Sequence, residues 1–210
     1  METAAADAGL YAAVTSALSS PGQARERVTK VLGASVALTD HLVAHPGQWA
    51  AVADAVDLSA QERMDRLVGA VRDAMEERAA AGADEEGFPD PVDVLRVAYR
   101  EQLLGIAALD VTAEDPTERF ERTAEALADL AAAALEAALV IARGELGPAA
   151  EQTRLAVIAM GKTGGGELNY ISDVDVIFVA EPGVGPDGEQ VDEAVSTALA
   201  ADLAARVMRV

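Results

Sequence analysis

The stretch Leu155 to Glu181, LAVIAMGKTGGGELNYISDVDVIFVAE, constrains the chain more than any other part of it. An apolar run stops at a glycine-rich turn, and a second apolar run begins with Ser172-Asp173-Val174-Asp175. Leu155 to Met160 and Val174 to Ala180 are short and bounded by turn residues, a pattern that predicts two buried strands. Side chains two apart on a strand project to one face, so Asp173 and Asp175 are expected together at a strand head. Two carboxylates held that way form a hard oxygen site suited to magnesium rather than zinc. A pair of such ions can activate an attacking oxygen and neutralise a leaving one in phosphoryl transfer. Taken alone, an acidic pair of this spacing marks a solvated strand end more readily than a metal site.

The turn between the runs supplies the other half of the expectation. Gly161 and Lys162 turn the chain and offer backbone N–H groups and one ammonium to a phosphate or triphosphate. Gly164, Gly165 and Gly166 permit close backbone approach, and Ser172 can donate a hydrogen bond beside the carboxylates. The structural alternative is a plain flexible turn.

Other tempting patterns fail. A P-loop ending in Gly161-Lys162-Thr163 needs glycine at position 156, where Ala156 stands, and the strand runs straight into Gly161. Gly183-x-Gly185-x-x-Gly188 has the spacing of a dinucleotide fingerprint, but Glu181 and Pro182 separate it from the strand and Pro186 stiffens it. A connecting loop is expected there. His41 and His45 stand one helical turn apart, yet Leu42 occupies the place where a zincin needs glutamate, and structural roles are expected. Tyr99, Arg100 and Glu101 are read as surface or interdomain packing, Trp49 as a core anchor, and Asp84-Glu85-Glu86 as a solvated loop.

Up to about residue 148 the periodicity is helical. One helix is expected from Gln23 to Ala44, with Val28, Val31, Leu32, Leu38, Leu42 and Val43 along its apolar stripe. Pro46 and Gly47 end it, and a short helix from Trp49 to Val56 follows. A charged helix over Ala60–Ala79 turns Met64, Leu67, Val68, Val71 and Met75 inward. Asp90-Pro91 and Asp115-Pro116 are start signals, a capping carboxylate followed by proline at the first helical position. They open helices to about Leu109 and to about Arg143, the second closed by Gly144 and Gly147-Pro148. Glu181 to Gly188 reads as a loop, and Gln190 to Val210 as a last helix.

Composition agrees. Half of the 210 residues are apolar, many of them alanine, and aromatics are 3%. That balance favours packed helices over a β-sandwich. There is no cysteine, which excludes disulfides, thiolate catalysis and cysteine-ligated zinc. The formal charge of −20 repels phosphate backbones, so nucleic acid is not expected as a partner. Neither a signal peptide nor a membrane span is evident, and a soluble cytoplasmic protein is expected.

The order apolar–Gly161-Lys162, ten residues, Asp173-x-Asp175 resembles the polymerase-β nucleotidyltransferase superfamily. More closely, MGKTGGGELNYISDVDVIF resembles the signature of the bifunctional glutamine synthetase adenylyltransferase/adenylyl-removing enzymes, near GKLGGRELNYxSDLDLIF. Upstream, VLGASVALTDHLVAHPGQW and YREQLLGIAALDV resemble further segments of that family, so the likeness covers about residues 28 to 181. It implies an α+β chain, with a helical domain over residues 1–150 and the opening strands of a nucleotidyltransferase domain over 151–210. It also implies Mg²⁺-dependent transfer in which Asp173 and Asp175 hold the metal. Gly161, Lys162, Gly164, Gly165 and Ser172 would bind nucleotide or phosphate.

The substrates implied are glutamine synthetase with ATP, ADP and phosphate, and a PII-type nitrogen signal protein is a possible further partner. The wording is most similar to the N-terminal, adenylyl-removing domain, which releases AMP from a tyrosine by phosphorolysis and forms ADP. ATP-dependent adenylylation, a non-catalytic docking module and an antibiotic-type nucleotidyltransferase are the alternatives. Gly166 replaces the family's usual arginine, and Thr163 replaces a common leucine. The superfamily's third carboxylate has no counterpart, since Glu181, Asp187, Glu189, Asp192, Glu193 and Asp202 all fall in the expected terminal loop or helix. A truncated catalytic domain, inactive by itself, is therefore expected.

Overall fold

A computed structural model describes residues 8–81, 87–186 and 188–210. The acidic stretch Asp84-Glu85-Glu86 and Asp187 lie outside the described residues. The described chain is mostly helical with one two-stranded antiparallel sheet, an α+β fold. Seven helices come first: α1 (Ala8–Ser19), α2 (Gln23–Ala34), α3 (Val36–Ala44), α4 (Trp49–Ala53), α5 (Ala60–Ala81), α6 (Pro91–Val111) and α7 (Pro116–Leu146). Strand β1 (Thr153–Ala159), the short helix α8 (Gly161–Gly164), strand β2 (Val176–Pro182) and helix α9 (Glu193–Val207) complete it.

The helix starts follow the capping rules. Asp90 Oδ1 accepts from Val92 N–H at 2.8 Å, and Asp115 Oδ1 accepts from Thr117 N–H at 2.8 Å. Both satisfy first-turn amides that have no partner inside the helix. The expected single helix from Gln23 to Ala44 is two. Ser35 is extended, and its Oγ accepts from Leu38 N–H at 3.3 Å to start α3 afresh. The break moves the stripe: Val28, Val31, Leu38 and Leu42 are buried, whereas Leu32 and Val43 are exposed.

Two compact units share the chain. The first comprises residues 1–59 and 100–126. Its core gathers Val28, Val31, Leu38, Leu42, Val52, Leu104 and Ala108, with Trp49 half-buried against it. Arg27 is buried and donates to the Ala53 carbonyl at 3.1 Å, while Arg119 makes a bidentate pair with Asp57 at 2.7 and 2.8 Å.

The second unit comprises residues 60–99 and 127–210 and contains the sheet. Leu67, Val71, Leu130 and Leu203 are fully buried in it. Gly144 was expected to close α7, but the helix runs through it to Leu146. The Met75 methyl occupies the space a Cβ at Gly144 would take, so Met75 would have to swing aside for any larger residue there.

β1 and β2 pair in register from Thr153↔Pro182 to Ala159↔Val176. Helix α9 contacts both strands. Buried Ser196 donates to Thr153 Oγ1 at 2.9 Å, which ties α9 to the start of β1. The strands were expected to be buried on both faces. Instead burial alternates, and Ile158 and Ile177, which stand opposite one another, are about half exposed at 47% and 50%. Among the described residues one face of this sheet is covered more than the other, which gives the period of two rather than a continuous buried run.

Candidate functional site

The glycine turn and the acidic pair meet at one end of the sheet. Ala159 and Val176 are the last paired residues, and the ladder continues one step further, with Met160 N–H donating to the Asp175 carbonyl at 2.8 Å. Asp175 therefore lies opposite Met160 and next to Gly161. Gly161 has φ +54°, a left-handed conformation that side chains disfavour. A Cβ there would lie 3.1 Å from Asp175 Oδ2. The missing side chain is thus what lets the carboxylate rest against the turn. The acidic residues precede β2 rather than belonging to it, and burial still alternates through them. Ser172 and Val174 are half-buried, whereas Asp173 and Asp175 are exposed.

The turn is a single helical turn, not a flexible loop. Gly164 N–H donates to the Met160 carbonyl at 3.0 Å, Gly165 N–H to the Gly161 carbonyl at 3.0 Å, and Glu167 N–H to the Lys162 carbonyl at 2.8 Å. The amides of Gly161, Lys162 and Thr163 precede the first of these bonds, so they have no acceptor within the turn. Lys162 is exposed beside them. The glycines divide by role. A Cβ on Gly164 would run into the Ala159 carbonyl, so Gly164 is needed for packing against β1. A Cβ on Gly165 would meet nothing nearer than 3.4 Å, and Gly166 has φ +69°.

Thr163 stands where the family commonly has leucine. It is a buried residue whose Oγ1 has no hydrogen-bond partner, which anchors the turn at some cost because a buried hydroxyl has lost its water. Leu168, just after the turn, is buried.

Asp173 and Asp175 would supply the hard oxygen donors that Mg²⁺ prefers. Among the described residues no three acidic or histidine side chains converge on a metal position. Glu181 lies in β2 and not in the expected loop, on the same alternating face as Asp175. Six residues at about 3.3 Å each put it roughly 20 Å away along the strand. It cannot join the pair. Gly183, Gly185 and Gly188 form a small closed turn, held by Gly185 N–H to the Glu189 carbonyl at 2.8 Å and by the Val184↔Gln190 bridge.

Residues 25–210 match the family described as glutamate-ammonia ligase adenylyltransferase. The chain belongs to this family. Among similar proteins are enzymes named bifunctional glutamine synthetase adenylyltransferase/adenylyl-removing enzyme. The one from Streptomyces avermitilis is 48% identical over 186 residues, covering 89% of this chain and 16% of the relative. That from Streptomyces coelicolor is 46% identical, over 89% of this chain and 17% of the relative. The Mycolicibacterium smegmatis protein is 44% identical, over 85% and 17%. This adenylyltransferase-family chain thus spans about a sixth of the length of these curated relatives. No solved structure matches it.

Away from the turn, His41 and His45 of this family member have ring centroids 4.6 Å apart. His41 is buried and its Nε2–H donates to Gln48 Oε1 at 2.7 Å, while Gln48 donates onward to Glu101 at 3.2 Å. The pair ties α3 to the turn that follows it, the structural role expected. Tyr99 is half-buried, and burial raises its pKa.

Proposed function

We propose that this chain carries part of a Mg²⁺-dependent nucleotidyl-transfer site acting on glutamine synthetase, in the direction that removes AMP from an adenylylated tyrosine. The observation that supports it most is the closeness of Asp175 to Gly161, at the start of a turn whose first amides and Lys162 can meet a phosphate. Residues 1–150 then form a helical domain, and residues 151–210 open a nucleotidyltransferase domain of the polymerase-β type.

In the reaction, an oxygen of inorganic phosphate attacks the adenylyl phosphorus. The bond from phosphorus to the tyrosine oxygen breaks, that oxygen takes up a proton, and ADP and tyrosine are the products. Gly161, Lys162 and Ser172 hold and orient the incoming phosphate through N–H, ammonium and hydroxyl donors. Gly164 keeps the turn against β1, and Gly165 leaves its outer side open to an approaching phosphate. Asp173 and Asp175 hold Mg²⁺, which when bound supplies charge neutralisation at the phosphoryl oxygens. Phosphate is the nucleophile, so no serine or cysteine nucleophile is required.

The printed names of the relatives contain both activities, so ATP-dependent adenylylation is the second reading. It uses the same residues with the roles of attacking and leaving oxygen exchanged. A PII-type signal protein is proposed as a regulatory partner, and nucleic acid is not. The site is assigned to the cytoplasm, where its nucleotide substrates are. No helix among the described residues is long and apolar enough to cross a membrane.

The test is ADP release from adenylylated glutamine synthetase with phosphate and Mg²⁺, using this chain and a longer polypeptide that contains it. Release that Asp175→Asn lowers at least a hundredfold supports the proposal. Consumption of ATP by unmodified glutamine synthetase, with no ADP released from the adenylylated form, replaces it with the second reading. Binding of glutamine synthetase without turnover in either polypeptide reduces the chain to a docking module.

A further inference from the structure

At the end of the sheet away from the glycine turn, the first residues of β1 and the last of β2 wall a groove of about 430 Å³. Arg143, Glu151, Thr153, Arg154, Gly183 and Val184 line it. Two arginines line this one concavity in a chain with 16 basic and 36 acidic residues. With Glu151 included, the lining keeps one net positive charge.

The two arginines are held differently. Arg143 is half-buried, and its Nη1 donates to the Ala150 carbonyl at 2.9 Å, which fixes the plane of the fork and leaves further N–H donors to use. Arg154 is exposed, and its guanidinium makes no ion pair or side-chain hydrogen bond among the described residues. Glu181 stands opposite it in register, and no ion pair joins the two among the described residues.

The floor beneath them is rigid backbone. Buried Gly183 donates its N–H to the Gln152 carbonyl at 3.0 Å and accepts from Val191 N–H at 3.0 Å. A Cβ at Gly183 would collide with the Glu151 carbonyl, so only glycine closes this floor. Thr153 is locked by Ser196 from below.

We propose that this groove binds a small oxyanion, a phosphate or carboxylate group, at a site separate from Asp173 and Asp175. A planar guanidinium fork matches the two oxygens of either group, and a second one nearby converts mutual repulsion into joint attraction once the anion is present. The strand length sets the separation. Thr153 and Ala159 are six residues apart at about 3.3 Å each, so roughly 20 Å divides the groove from the glycine turn. One small anion cannot serve both places, and the groove would hold an effector rather than the reacting phosphate.

The experiment is a titration of the 210-residue chain with inorganic phosphate, sulfate and succinate at low ionic strength, followed by NMR of backbone amides and arginine Nε–H groups. Saturable shifts are expected at Gly183, Val184, Arg143 and Arg154. Arg154→Gln, a change at an exposed position, is expected to weaken binding at least fivefold with the amide spectrum otherwise retained. Arg143→Lys keeps the charge but removes the fork, and it is expected to weaken binding as well. Response to phosphate and sulfate alone identifies a tetrahedral anion, and response to succinate too identifies a carboxylate-accepting site. Shifts confined to Gly161–Gly166, no saturable shift, or unchanged affinity in Arg154→Gln each overturn the proposal.

Discussion

Gly164 and Gly165 adjoin in the sequence and differ in what the fold asks of them. Gly164→Ala drives a methyl into the Ala159 carbonyl, which belongs to a paired strand and cannot give way. Overpacking of this kind costs about 1–3 kcal/mol. Gly165→Ala meets only ordinary contact at 3.4 Å and sits at a φ of −83°, so it is expected to be neutral or slightly stabilising through the unfolded chain. Urea unfolding of the two variants checks this, and equal midpoints would contradict the packing role of Gly164.

At His41 the same scale governs pH dependence. Burial is the main cause that lowers its pKa from about 6.5, with His45 and Arg100 adding to it and the bond to Gln48 and the charge of Glu101 opposing. The fold therefore holds the neutral ring, and below about 6.5 the unfolded chain binds the proton more readily. By linkage, this contribution is fully present above the unfolded value and is lost as pH falls through the folded one. The urea midpoint is expected to drop between pH 7 and 5, and His41→Gln is expected to flatten that drop. A slope unchanged in the variant would assign the acid sensitivity to other groups.

At the scale of elements, helix starts were the most legible feature because their chemistry is local. Asp90-Pro91 and Asp115-Pro116 cap the helices they were expected to open. Asp192 does the same for α9, accepting from Ala194 N–H at 2.9 Å, although it had been placed inside a longer helix. Asp192→Ala is expected to cost about 1 kcal/mol and Asp192→Asn much less, since the amide oxygen still accepts. Thermal unfolding of both variants tests the cap, and identical losses would mean the charge rather than the oxygen matters.

The strands were less legible. Their positions shifted by only one or two residues, but their burial was misjudged. A run such as LAVIA is equally apolar on both faces, and its letters do not say which face a helix will cover. Similarly, Ser35 inside an unbroken apolar stripe gave little sign that one helix would become two.

For the molecule as a whole, the two compact units draw on segments that interleave along the chain, with α6 and α7 contributing residues to both. No periodicity rule reports such interleaving, because it depends on contacts between residues far apart in sequence. The sequence by itself determined the helical composition, the capped starts, the adjacency of turn and acidic pair, and the family. These rest on local propensity and on motif order, which survive without coordinates. The tertiary structure alone decided that Gly161 lies against Asp175, that Gly164 serves packing, and that Glu181 is too distant to join the carboxylates. It also brought Arg143 and Arg154 to one groove. Each of these is a distance between groups that only folding brings into reach, and sequence spacing does not measure it.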